Sequence, residues 1–157
     1  MTQKNNETKQ PFTFRPITPQ DRSLMEELVR AYYEFDGLTY KPELHDPAID
    51  QLVQGPDNIF ARIIQQDGAD VGYYVLTFGF SVYYGGKDGF IDELFLREEA
   101  RGGNGTSLLN TIINKARELG LASAHLEVTD QNLRAQALYK KLGFTPTGHN
   151  FMTKILN

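Results

Sequence analysis

The chain has 157 residues, 40% of them hydrophobic, with 16 basic against 20 acidic side chains for a net charge of −4 and no cysteine. That length and composition fit one globular domain and exclude disordered and collagen-like chains, and the acidic balance lacks the positive field that a nucleic-acid partner needs. Without cysteine there is no disulfide, thiolate metal site or cysteine acyl-enzyme, and His45, His125 and His149 show no ligand spacing, so chemistry is expected to rest on carboxylates, hydroxyls and backbone, with no metal.

No apolar run approaches the roughly 20 residues that cross a bilayer, and MTQKNNETKQ lacks the apolar stretch of a signal peptide, so a cytoplasmic protein with no membrane partner is expected. Residues 1–10 are polar and without period, which reads as a flexible tail ahead of a single domain over 11–157. Phe12, Phe14 and Ile17 open a strand-like segment, and Thr18-Pro19-Gln20-Asp21 supplies an N-cap, a first-turn proline and an acid. The helix that follows carries Leu24, Leu28, Ala31 and Phe35 on one face and ends by Gly37, and a second, weaker helix fits between Pro47 and Gln54. Asn58 to Gln66 and Val71 to Phe80 are β-branched and aromatic, and Asp67-Gly68-Ala69-Asp70 between them is hairpin chemistry.

After a glycine-rich loop over 84–89, Phe90-Ile91-Asp92-Glu93-Leu94-Phe95-Leu96 reads as a central strand with two anomalous acids. Leu108, Leu109, Ile112, Ile113, Ala116 and Leu119 then form one helical stripe closed by Gly120. Ala122 to Thr129 alternates, with Ala124, Leu126 and Val128 on one face and His125, Glu127 and Thr129 on the other. A helix from Leu133 to Leu142, capped by Gly143-Phe144, and a final strand pair complete an α+β domain with a mixed sheet.

Between strand and helix lies Arg101-Gly102-Gly103-Asn104-Gly105-Thr106, where glycines leave amides uncovered at a helix start, a geometry suited to phosphate. No Gly-Lys-Ser/Thr follows and G-x-G-x-x-G is absent, which disfavours ATP and NAD. Together with Leu126-Glu127-Val128, Asn132 and Ala137-Leu138-Tyr139-Lys140-Lys141-Leu142-Gly143-Phe144, the chain resembles the GCN5-related N-acetyltransferase (GNAT) superfamily over residues 12 to 156. The family's loop pattern is Gln/Arg-x-x-Gly-x-Gly/Ala. Arg101 fits it, whereas Asn104 and Thr106 depart from it; asparagine tolerates left-handed backbone, which keeps close approach feasible.

The resemblance implies a mostly antiparallel GNAT-like sheet flanked by helices, and an acetyl-CoA co-substrate held by Arg101, Gly102, Gly103, Asn104, Gly105 and Thr106. It also implies backbone contacts from Leu94, Phe95 and Leu96, and a further contact from Asn132. Tyr139 stands where the family keeps its general acid and contacts the coenzyme; a phenol near pKa 10 can share a proton with a departing thiolate near 8.5. A protonated amine needs a carboxylate to take its proton. Glu127, in a segment resembling the ribosomal-protein N-terminal acetyltransferases, is the first candidate for the catalytic base. Glu93, in a strand resembling the spermidine and thialysine branch, competes with it, and Asp92 and His125 are candidates to bind substrate.

Tyr32, Tyr33 and Tyr40, flanking Glu34 and Asp36, suit a cationic amine. The expected activity is acetyl transfer to a primary amine of a small cationic molecule, with a non-catalytic acyl-CoA-sensing domain or transfer to protein N-termini as alternatives. Exposed strand edges near the carboxy terminus also leave room for a homodimer.

Overall fold

A computed structural model describes residues 12–156, which form five strands and four α-helices. The expected tail over 1–10 and the onset of order at Pro11 lie outside those residues. The chain divides into two compact units at Glu127/Val128. In the first, β1 (Thr13–Pro16), β2 (Ile59–Gln66), β3 (Ala69–Ser81), β4 (Gly86–Leu96) and β5 (Ser123–His125) form one sheet in the order β1-β2-β3-β4-β5. All neighbours are antiparallel except β4 and β5, which run parallel. The α+β, mostly antiparallel mixed sheet expected from the sequence is therefore present.

α1 (Arg22–Asp36) and α2 (Pro42–Leu52) cover one face of this sheet, and α3 (Gly105–Glu118) covers the other. Met25, Leu28, Val29 and Ile49 of the first pair, with Val53, pack on Ile63, Tyr73, Val75 and Phe95. Strand alternation turns Ile64, Tyr74, Leu76 and Ile91 to the opposite face, where α3 buries Leu108, Leu109, Ile112 and Ala116. Each fully buried leucine, isoleucine or methionine among them contributes about 2 kcal/mol. β3 and β4 approach so closely that a Cβ on Gly72 would lie 2.1 Å from the Phe95 carbonyl oxygen.

Asp67 (φ 53°) and Gly68 (φ 81°) make the two-residue turn between β2 and β3. α3 closes as expected: Gly120 (φ 77°) donates its N–H to the Arg117 carbonyl, and Leu121 donates to that of Ala116. Four expectations need correction. α2 begins at Pro42 rather than Pro47, because Pro42 occupies the first turn and the Lys41 amide donates to His45 Nδ1, anchoring the helix five residues earlier. In that position His45 sits between the Tyr33 and Tyr40 rings. The 84–89 loop is mostly strand, since β4 starts at Gly86, and the alternating segment after Ala122 is strand only to His125, where pairing with β4 stops. Among the described residues no strand follows β5: 145–156 have no regular element, and Phe151, Met152, Ile155 and Leu156 are exposed, in adjacent apolar pairs that no alternating strand could bury on one face.

At the entrance to α1, the Thr18 amide and hydroxyl both donate to Asp21 Oδ2, at 2.8 and 2.9 Å. Arg15 bridges Asp21 and Asp70 by paired hydrogen bonds of 2.7–3.1 Å to each, tying β1 to the β2–β3 hairpin. Its guanidinium holds both carboxyls below their ordinary value. The stability gained is complete above the unfolded-state carboxylate pKa of about 4 and is lost as pH falls through the lower folded values. Arg15→Leu should cost about 2 kcal/mol at neutral pH. It should also flatten the fall in denaturant midpoint between about pH 5 and pH 2; an unchanged acid slope would show that other carboxylates govern acid unfolding.

Candidate active site

The two acids in β4 are separated by a bulge. Val75 pairs with Glu93 and Leu76 with Ile91, so Asp92 is the extra residue. Regular alternation would place Ile91, Glu93 and Phe95 on one face. The bulge instead sends Ile91 to the α3 side and Glu93 with Phe95 to the α1 side. There the Tyr73 hydroxyl donates to Glu93 Oε2 at 2.8 Å and the Tyr33 hydroxyl donates to Oε1 at 3.3 Å. Burial pushes the Glu93 carboxyl up and the Asp92 charge adds to the rise, while the two phenols act against it. The protein around Asp92 raises its carboxyl as well, although the residue reaches solvent.

Aromatic rings enclose Glu93. Tyr32 packs edge-on against Tyr33 at 5.7 Å and tilts against Phe95 at 5.9 Å, and Tyr73 approaches Phe95 at 6.4 Å. Tyr33 contacts Tyr40, whose hydroxyl donates to Asp46 Oδ1 and whose ring carries the Arg30 guanidinium at 3.7 Å. Burial and the Glu93 charge raise the Tyr33 and Tyr73 hydroxyls, keeping both protonated as donors.

Past Phe90 no strand pairs with the outer edge of β4 among the described residues, so the main chain of Leu94, Phe95 and Leu96 borders an open edge. The connection to α3 follows. Gly102 (φ 105°) and Gly103 (φ 85°) take left-handed backbone, which glycine alone adopts without strain, and a Cβ on Gly103 would meet nothing within 4 Å. Asn104 is the N-cap, with right-handed backbone (φ −89°), so the left-handed tolerance anticipated for it is not used. Its Nδ2 donates back to the Ala100 carbonyl at 3.4 Å and its side chain does not cap the helix, leaving the amides of Gly105, Thr106 and Ser107 at the open end of α3. Arg101 Nε donates to the Leu96 carbonyl at 2.8 Å, and its guanidinium lies 3.8 Å over the Phe35 ring.

His125, in β5, stands with its Nε2 3.1 Å from Ser123 Oγ and 3.4 Å from Asp88 Oδ2, against the Tyr84 ring. Glu127 lies exposed just beyond β5.

In the second unit, α4 (Leu133–Lys141) is capped by Asn132, whose Oδ1 accepts from the Ala135 amide at 3.0 Å. Its far end closes on Gly143 (φ 90°), with the Gly143 amide donating to the Lys140 carbonyl and the Phe144 amide to that of Tyr139. This motif brings the Phe144 ring edge-on to the Tyr139 ring at 5.9 Å. The Gly-Phe pair thus fixes the orientation of Tyr139, whose hydroxyl burial pushes upward.

The Acetyltransferase (GNAT) family model matches residues 22–144, more than three quarters of the chain. The chain belongs to the GNAT acetyltransferase family. This acetyltransferase is similar to thialysine N-epsilon-acetyltransferase of Mus musculus, 27% identical over 127 residues that cover 74% of each chain. Among solved structures, an integron cassette protein from the mobile metagenome of Cole Harbour Salt Marsh matches with a TM-score of 0.76 at 28% identity, covering 92% of this chain and 90% of that one. A predicted acetyltransferase from Clostridium acetobutylicum, solved with acetyl-CoA, shares the fold at a TM-score of 0.73 and 16% identity, over 91% of this chain and 96% of that one. Sequence reasoning on the acetyltransferase flagged Tyr33 only as one of a tyrosine group and missed Tyr73 altogether. A tyrosine within a strand carries no mark of whether its hydroxyl meets a carboxylate.

Proposed function

We propose that this acetyltransferase transfers acetyl from acetyl-CoA directly to a primary amine of a small cationic molecule. The observation that carries the proposal is Glu93, a carboxylate hydrogen-bonded through both oxygens by Tyr73 and Tyr33 and set among aromatic rings beside Asp92. A coenzyme diphosphate fits the start of α3, where Gly102 and Gly103 permit close approach and three first-turn amides lack a side-chain cap. Acetyl-CoA supplies the acetyl group as a thioester.

Asp92 and Glu93 together attract a cation, and the rings of Tyr32 and Tyr33 offer faces to it. An amine of pKa about 10.4 arrives protonated, and Glu93, raised by burial, accepts that proton. We assign Tyr139, kept protonated by its burial, as donor to the departing thiolate. The thialysine specificity named for the murine relative supports an amine on a short cationic chain.

Thiol release measured over a panel of lysine analogues, polyamines, aminosugars and peptide N-termini tests this. Small cationic amines should be acetylated in preference to peptides. Transfer to peptides alone would move the assignment to protein N-termini. Tight coenzyme binding with no acceptor turned over would make the chain an acyl-CoA sensor.

A further inference from the structure

The sheet face away from Glu93 holds a cavity of about 240 Å³, lined by Phe14 of β1, Phe60 and Arg62 of β2, Tyr74 of β3, and Thr111 and Lys115 one turn apart on α3. It has an aromatic frame: the Phe14 ring stands edge-on to Tyr74 at 5.9 Å, and the Phe60 ring tilts against Tyr74 at 6.3 Å. Two cations converge on this frame, with the Arg62 guanidinium 3.8 Å above the Phe60 ring and Lys115 Nζ 5.5 Å from the same ring. Lys115 is paired to Glu118 at 3.0 Å, so the uncompensated charge is that of Arg62. One of its nitrogens donates to the Ala61 carbonyl at 2.7 Å, and no carboxylate pairs with it among the described residues.

Arg62 is also the direct cross-strand partner of Tyr74. Tyr74 is only 2% exposed and lines this cavity, and its hydroxyl, which makes no hydrogen bond within the described chain, still reaches solvent. Burial pushes that hydroxyl up to about 12 against the pull of Arg62, so at neutral pH it is a donor. A phenol donor in an aromatic-lined cavity, beside a guanidinium fork with nitrogens to spare, matches a planar anion that carries its own ring.

We propose that this cavity is a second ligand site, for a small aromatic carboxylate, with the ring seated between Phe14 and Phe60 and the carboxylate on Arg62 and the Tyr74 hydroxyl. The site lies back to back with the carboxylate nest. Tyr73, which bonds Glu93, and Tyr74 are consecutive on β3 and point to opposite faces, and Leu94, opposite Tyr74, follows Glu93 on β4. An occupant here is therefore two side chains from the acid and separate from the coenzyme loop.

Calorimetric titration of the full chain with 1-naphthoate, benzoate, neutral 1-naphthalenemethanol and inorganic phosphate tests the site. The naphthoate should bind with a dissociation constant below about 1 mM, a modest ligand efficiency for its size. The alcohol and phosphate should bind at least about tenfold more weakly, as loss of a charge-assisted pair or of the stacked ring requires. Arg62→Gln should weaken naphthoate about tenfold and Tyr74→Phe about threefold, with melting temperature and basal amine acetylation unchanged; should Arg62→Gln unfold, Arg62→Lys keeps the charge without the fork and should still weaken binding. Saturating coenzyme A should leave naphthoate affinity as it was. Absence of heat, equal affinity in the variants, phosphate binding as tightly as naphthoate, or displacement by coenzyme A would each overturn the proposal.

Discussion

Glu93→Gln should leave acetyl-CoA affinity and melting temperature near those of the parent protein while lowering turnover about a hundredfold or more at neutral pH, the scale of a lost general base. Glutamine fits between the two phenols, since either hydroxyl can rotate from donating to a carboxylate oxygen to accepting from the new amide. In the parent, activity must fall as pH drops through the Glu93 pKa, and because burial raises that value the acidic limb should stand above the ordinary glutamate range. In the variant the limb should vanish, and activity should recover toward about pH 10, where the amine sheds its proton unaided. Tyr73→Phe removes the shorter hydrogen bond to the carboxylate, which holds the pKa down, so its limb should move to higher pH. Glu127→Gln is the matching control, expected to keep the limb. A limb lost in Glu127→Gln and kept in Glu93→Gln would hand the proton to Glu127, the first candidate on sequence grounds.

The second large effect is expected at Tyr139. Phenylalanine keeps the ring against Phe144 and the glycine closure of α4, so coenzyme binding and thermal stability should survive. Turnover should fall about tenfold or more, as when a positioned acid is removed. The loss should be greatest with thioesters of the most basic thiols, which depend most on a proton from the enzyme. An unchanged rate with normal stability would return Tyr139 to packing alone, the part it already plays against Phe144.

Local chemistry made much of this legible. Asp67-Gly68 marked a hairpin because few other dipeptides accept two left-handed residues, and the stripe from Leu108 to Ala116 closing on Gly120 marked α3 because period, cap and length agreed. The glycines before α3 were equally plain, although their left-handed positions proved to be 102 and 103, with Asn104 already helical. Pro47 misled, since a proline reads as a helix start, whereas Pro42 and the His45 contact had fixed that start earlier. The partners of Glu93 were illegible for a different reason. Which of two adjacent acids faces the aromatic side depends on a register shift against β3, and register is a property of the pair of strands, not of either sequence.

That shift also bears on how far β4 could vary in length. On either side of Asp92 the residues facing α1 are Phe90, Glu93 and Phe95, and those facing α3 are Ile91, Leu94 and Leu96. With Asp92 removed, simple alternation yields the same two sets. It is thus the one place in the strand's interior where a chain could lose a residue and keep every other side chain on its own side. Such a shortened relative would retain both cores and its equivalent of Glu93, but with a straight strand and one acid in place of two. Gaps of one residue at this point in β4 are therefore compatible with the same fold, and the acid next to them should be matched by the face it occupies instead of by its count along the chain.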